Sequence, residues 1–305
     1  MSVHASRSAT TRQDPKRSGG MRSFRFFNKY HVPGEEILDA FEFAARLHQL
    51  GEERPTTALG AVWLRGQANG NWKLQPSIGR CHPVWLGLRL HPKPAAQQFS
   101  PKEIEAAKDV EYNLLHRFRR QAHAHLGHAP TRWETITLAQ HHGLPTRLLD
   151  WTSNPLAALY FAAESESHQD GAVFAFRPVR YFTQFLCVHP DEPLQKHNRE
   201  PLKVKGVKII YSMMSSSRLV AQSGAFTIQS PWTPLEEQSK HAFMEQSLDI
   251  VEMFKWRLPT QCKVEILRQL NRTGIHHGSL FPDLQGAGTG LLRSQLLRTD
   301  VLVRR

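Results

Sequence analysis

The stretch from Arg132 to Ala163 constrains this chain more than any other, because it stops a helix, runs extended and starts a second helix in quick succession. Arg132–His141 reads as a helix. Gly143 just past its end and Pro145 beyond it are the expected stop signals. Leu148 and Leu149 then ride an extended piece into the core. Ser153 or Asn154 caps the next helix, and Pro155 fits its first turn. Leu156, Leu159, Tyr160 and Ala163 form the stripe this helix would bury.

The rest of the chain keeps mixing the two element types. Further helices are predicted over Glu35–Leu47, with Ile37, Phe41 and Ala44 as its apolar face, and over Lys102–Ala122 and Ser215–Gln222. A last helix is capped by Thr260 and ends near Gly274. Leu59–Leu64, Val173–Phe176, Val207–Tyr211, Ala225–Gln229 and Asp249–Trp256 read as strands. Asn69-Gly70 is a turn dipeptide, which predicts a hairpin over Trp63–Gln75. No regular βαβ repeat emerges, so the expected class is α+β: mixed, mostly antiparallel small sheets packed with several helices.

The organisation expected over the 305 residues is one decorated domain, 23–285, between two basic tails, 1–22 and 286–305. The first tail is rich in Ser, Thr, Arg and Gly and reads as disordered. Its five basic residues against one Asp give +4, and residues 285–305 give +3 from four Arg and one Asp. Most of the net charge of +12 therefore sits in the tails, and the body attracts phosphate only mildly. Within the body, Arg117, Arg119 and Arg120 share a helix face with His116, followed by His123, His125 and His128. That face is either solvated or a surface for DNA or RNA. Three widely separated cysteines without C-x-x-C spacing suit a reducing, cytoplasmic setting, and no apolar run is long enough to cross a membrane.

Two segments concentrate the candidate chemistry. In Trp63-Leu64-Arg65-Gly66-Gln67 an apolar strand delivers an arginine at its end, followed by a glycine where backbone can approach a ligand. A guanidinium there suits phosphate or carboxylate, and the alternative is a structural ion pair with Asp150. In Gln140–Pro155 polar and titratable side chains alternate with residues that fix the backbone. The open N–H groups at the start of the Pro155 helix favour an anion. No metal is expected, because Cys81-His82, Cys187-x-His189 and His276-His277 lack paired ligand spacing. There is no P-loop, G-x-S-x-G or G-x-G-x-x-G.

These same residues resemble the FRG-domain family. Its aromatic- or apolar-Arg-Gly signature is matched by Trp63–Gln67, continuing to Trp72, Leu74, Pro76, Ser77 and Arg80. The run Ala139–Ala162, the group Arg218, Gln222, Gly224 and Phe226, and the closing Gly274-Ile275 and Leu280-Phe281-Pro282 extend the likeness over roughly 35–285. Members are bacterial or phage proteins suspected of roles in defence or toxin-like systems.

The order of these elements is also similar, more distantly, to ADP-ribosyltransferases. That likeness implies a split sheet and an NAD-dependent ADP-ribosyltransferase or NAD-cleaving effector, with NAD as co-substrate. It casts Arg65 on an NAD phosphate or the nicotinamide ribose, with Gly66, Gln67 and Arg147 as further cofactor contacts. Thr152, Ser153 and Asn154 would line the nicotinamide pocket, and Gln222 would steady the ribose. No Glu stands in the third element, where those transferases use one, so Asp150 or His142 would substitute. The alternative is a regulatory module that binds a nucleotide or nucleic acid without turnover.

Overall fold

The computed structural model describes residues 36–52, 62–80, 101–178, 186–187, 200–204, 207–211, 217–235 and 250–298. The N-terminal tail and most of the loops expected at 82–101 and 187–201 lie outside them. Among the described residues seven strands form one sheet: β1 (Trp63–Gln67), β2 (Leu148–Thr152), β3 (Gly171–Pro178), β4 (Leu186–Cys187), β5 (Lys208–Tyr211), β6 (Gly224–Ile228) and β7 (Ile250–Leu258). Their spatial order is β4-β5-β6-β2-β1-β3-β7, antiparallel throughout except for β4 beside β5. The α+β class and the mostly antiparallel pairing are as expected, while the small sheets have merged into one.

That one sheet is opened in its middle. β2 runs in register with β6 from Leu148↔Ile228 to Thr152↔Gly224, and β1 pairs with β3 along its whole length, from Trp63↔Phe176 to Gln67↔Ala172. Between β1 and β2 the register holds at a single pair, Leu64↔Thr152. The two ladders are thus hinged at one corner. The sheet is continuous, where the transferase likeness implied a split one.

The helices divide along the same line. α1 (Ala40–Glu52), α5 (Pro155–Ala163) and α7 (Lys263–Arg272) cover the β1-β3-β7 half, in a cluster with Leu64, Val173, Trp256 and Leu258. α3 (Pro101–Leu126) and α4 (Arg132–His141) cover the other half, where Leu115, Trp133 and Ile136 meet Leu148, Phe226 and Ile228. The opposite face buries Trp63, Leu149, Trp151, Phe174, Phe176 and Ile209. Strand alternation sends successive residues to opposite faces, and that is the origin of these separate clusters. The remaining helices are α2 (Ser77–Arg80), α6 (Ser217–Ala221), α8 (His277–Leu280) and α9 (Leu284–Arg298).

α4 and α5 form where the sequence places them. Thr131 and Glu134 make a reciprocal capping box at the start of α4, and Gly143 follows its end at φ 81°. The Asn154 Oδ1 accepts from the N–H groups of Leu156 and Ala157, ahead of Pro155. α5 is buried nearly all round rather than along one stripe, and Leu156 is among its less buried residues.

Four expectations change. The apolar face of α1 is Ala40, Phe43 and Leu47, while Phe41 is half exposed and Ile37 precedes the helix, bonded to the Arg257 carbonyl. The cause is a later start: the Asp39 Oδ1 accepts from the N–H groups of Phe41 and Glu42. The Asn69-Gly70 turn is present, but no hairpin follows it. Gly70 N–H donates to the Asp170 carbonyl at 2.7 Å, and β1 takes β3 as its neighbour. Thr260 does not cap α7, because its N–H and hydroxyl both bond the Asp170 carboxylate. Finally, much of the segment expected as a C-terminal basic tail is α9. Its Gly286 and Gly290 let it lie against Phe281 and Gly278.

The carboxyls of Asp39 and Asp170 are both held below their usual 3.8. The Glu42 N–H is the main cause for the first and the Thr260 N–H for the second. A depressed carboxyl contributes stability above the unfolded value that is lost as pH falls through the folded one. Melting temperature should therefore decline as pH drops below about 4. Asp39→Asn with Asp170→Asn should flatten that decline; an unchanged profile would refute the assignment.

Candidate functional site

The parting of β1 from β2 leaves a cleft of about 280 Å³. Because the strands diverge, residues of both sheet faces line it: Leu64, Arg65, Gly66 and Gln67 from β1, and Asp150, Trp151 and Thr152 from β2. Gln140 and His141 close it from the end of α4, and Trp72 and Arg80 from the segment after β1. Phe161 and Glu164 contribute from α5 and its end, and Arg218, Gln222 and Gly224–Phe226 from α6 and β6. The volume is near the lower end for small-molecule sites.

Arg65 bridges the opening. Its Nη1 donates to the Asp150 carbonyl at 2.9 Å and stands 3.7 Å from the Asp150 carboxylate. A side chain thus spans a gap that ladder hydrogen bonds do not close. The guanidinium is largely buried, and its Nε has no hydrogen-bond partner. Burial lowers its pKa to about 10, Asp150 opposes that, and the nearby positive Arg80 adds to it. It remains charged at neutral pH. Two residues along the same strand, Gln67 is 5% exposed, and its Oε1 is buried without a partner. Unpaired buried polar atoms are costly and uncommon in folded proteins. Two of them on adjacent same-side positions of one strand mark this wall of the cleft.

The other polar groups are anchored. The Asp150 Oδ2 accepts from the Gln140 amide at 3.0 Å, and Gln140 in turn accepts from the Thr146 hydroxyl. The Arg218 guanidinium lies 4.2 Å over the ring of Phe281, and burial lowers its pKa against the pull of Asp150, Asp283 and Glu164. Glu164 accepts from the Arg293 Nη1 at 2.9 Å, and the same nitrogen donates to the Tyr160 hydroxyl. Burial, then His142 and Arg218, hold the His141 imidazole below its ordinary pKa, with Asp283 opposing.

Residues 60–171 match the family model of the FRG domain. The chain contains an FRG domain. No curated protein and no solved structure matches it. The matched residues of the FRG domain supply β1, β2, α4 and α5, and so one side of the cleft. Arg218, Gln222 and the β6 residues that complete the other side lie beyond the match.

Of the sequence-predicted site residues, the fold brings Arg65, Gly66, Gln67, Asp150, Thr152 and Gln222 together at the cleft. Arg65 and Gly66 sit in mid-strand rather than at a strand end. Gly66 serves packing, since a Cβ there would lie 1.9 Å from the Ala158 carbonyl of α5. The Thr152 hydroxyl donates to the Gln222 carbonyl at 2.6 Å and accepts from the Asn154 N–H, so it fixes the wall it belongs to. The Gln222 amide donates to the Leu280 carbonyl.

The others are placed elsewhere. Asn154 is the α5 cap, and Ser153 is exposed, with its N–H on the Ser223 carbonyl. Arg147 is buried in an ion pair with Glu111 and also donates to the Leu202 carbonyl, away from the cleft. His142 is exposed, against Phe118 and His141, and it is His141 that faces the cleft. On α3, Arg117 and Arg120 are exposed, but the Arg119 Nε donates to the Pro130 carbonyl. Reasoning from sequence omitted Arg80, Arg218 and Glu164 from the site. The first two stood within the quoted motifs; no local signal distinguishes Glu164, which the end of α5 delivers.

Proposed function

We propose that the seam cleft of this FRG domain binds NAD and that the chain transfers or hydrolyses the ADP-ribosyl group there. The observation that carries this is the cleft's lining, in which the Arg65 Nε and the Gln67 Oε1 are buried without partners and Trp72 and Phe161 supply aromatic rings. A guanidinium donor suits a phosphate or ribose oxygen, an amide oxygen suits an N–H of the carboxamide, and rings suit the planar base. Breaking the glycosidic bond develops positive charge on the ribose, which a nearby carboxylate stabilises. Asp150 and Glu164 both line the cleft, and either supplies a carboxylate for this role in a sequence without a Glu in its third element.

A second reading has its own support. Asp150 faces Arg65, and Glu164 is held by Arg293, so each carboxylate already has a cationic neighbour. That favours a regulatory module which binds a nucleotide without turnover; the exposed Arg117 and Arg120 offer a nucleic acid a separate surface.

Melting of wild type and Arg65→Ala, each with and without millimolar NAD, tests the proposal. Arg65 stands 3.7 Å from a carboxylate that is itself half exposed, so its removal leaves no buried counter-charge and the baseline melt should change little. NAD should stabilise the wild type alone. Release of nicotinamide over hours assigns turnover. A wild-type shift without release leaves the binding module, and no shift at all rejects NAD as the ligand.

A further inference from the structure

Three guanidinium groups from separate elements line the cleft: Arg65 on β1, Arg80 at the end of α2 and Arg218 on α6. They share few counter-charges. Of the two carboxylates in the cleft, Glu164 is matched by Arg293, a residue outside the lining, at 2.9 Å. Asp150 is felt by both Arg65 and Arg218. Three arginines face Asp150, with Asp283 also acting on Arg218 from outside the lining, and the cleft keeps a net positive charge. Arg65 and Arg80 also repel each other, with Arg65 largely shielded from water and one of its N–H donors unused. Like charges are gathered at low dielectric where something of opposite charge is to be received.

We infer that Arg65, Arg80 and Arg218 form a cradle for a diphosphate linkage, with one negative charge on each phosphate, and that this linkage is the part of the ligand the cleft recognises. The inference deepens the nucleotide reading above and rests on the same cleft, but it does not require turnover or a nicotinamide ring. Guanidinium suits this task because its planar fork donates two parallel hydrogen bonds to phosphate oxygens. The rings of Trp72 and Phe161 then take whatever planar group the diphosphate carries. A ligand without phosphate leaves the excess charge uncompensated.

The test uses the full chain in thermal melts with inorganic pyrophosphate, ADP-ribose, AMP, NAD and nicotinamide riboside at equal concentration and ionic strength. ADP-ribose, NAD and pyrophosphate should each raise the melting temperature, and nicotinamide riboside should not. An AMP shift as large as that of ADP-ribose would replace the diphosphate by a phosphate monoester. Arg80→Gln and Arg218→Gln should each weaken ADP-ribose binding about tenfold or more, as expected for loss of a charged hydrogen-bonding partner. Arg80 is exposed, so its variant separates lost binding from lost folding. Charge reversal of Arg117 and Arg120, away from the cleft, should leave the shifts intact; loss of the shifts there would place anion binding on α3 and overturn the cradle. Nicotinamide release by wild type that both glutamine variants retain undiminished would overturn the cradle while leaving the NAD reading standing. Shifts with ADP-ribose and pyrophosphate without any nicotinamide release would do the reverse.

Discussion

Glu111→Gln is expected to lower the melting temperature by on the order of 10 °C, from a loss of about 3–5 kcal/mol. Glu111 is fully buried and its carboxylate receives both Nε and Nη2 of Arg147, itself only 5% exposed. The third arm of the guanidinium donates to the Leu202 carbonyl. One residue thus joins α3, the approach to β2 and the turn at Pro201–Lys203. Glutamine keeps the shape of Glu111 but removes its charge, so the cost is that of leaving a guanidinium unpaired in a dry interior. Replacing both partners by Met should recover most of the loss, because no buried charge then remains. Arg147 stands away from the cleft, so on the NAD proposal the double variant should respond to NAD as the wild type does. Wild-type melting for Glu111→Gln would show that water reaches the pair. A lost NAD response in a stable double variant would return Arg147 to the site.

Gly66→Ala is expected to be the most damaging single methyl group in the FRG signature. The added Cβ would stand 1.9 Å from the Ala158 carbonyl oxygen and 2.6 Å from the Ala162 nitrogen. Both are helix backbone, so no side chain can swing aside. α5 would have to back away from β1, yet its start is fixed by the Asn154 cap and its flank by Tyr160 and Leu159 in the core. Overpacking costs about 1–3 kcal/mol where side chains can adjust, and a backbone obstacle puts this case at the upper end or beyond. Phe161 and Glu164 line the cleft and ride on the same helix, so ligand response should fall together with stability. Arg65→Ala, in contrast, should lose the response at nearly unchanged melting. A Gly66→Ala protein with wild-type melting and binding would mean that the signature glycine is not there for helix–strand approach.

How much of this was legible from the residues depended on how local the cause was. The ends of α4 and the start of α5 were readable because caps, a left-handed glycine and an N1 proline act within one turn of chain. The phase of α1 was misread, because its start is set by a cap that also receives an amide from α7, at Gln269. The hairpin after β1 was misread for a similar reason: the turn formed, but distant Asp170 captured it. At the cleft, the residue types singled out in the sequence include Arg65, Gln67, Asp150 and Gln222, which the fold brings together. Arg147, Asn154 and His142 carried the same credentials in the sequence, and only their neighbours in space place them away from the cleft.

By itself, then, the sequence determined the α+β class, the helix–strand–helix joint at 132–163, the FRG domain and the two segments that supply most of the cleft. Each follows from short-range periodicity, capping or motif. Only the tertiary structure decided that β1 and β2 meet at one residue pair and part beyond it, that Glu111 claims Arg147, and that Arg80, Arg218 and Glu164 converge on the opening. These depend on contacts between residues far apart in the chain, and strand register and ion pairing across such distances leave no periodic trace in the order of the amino acids.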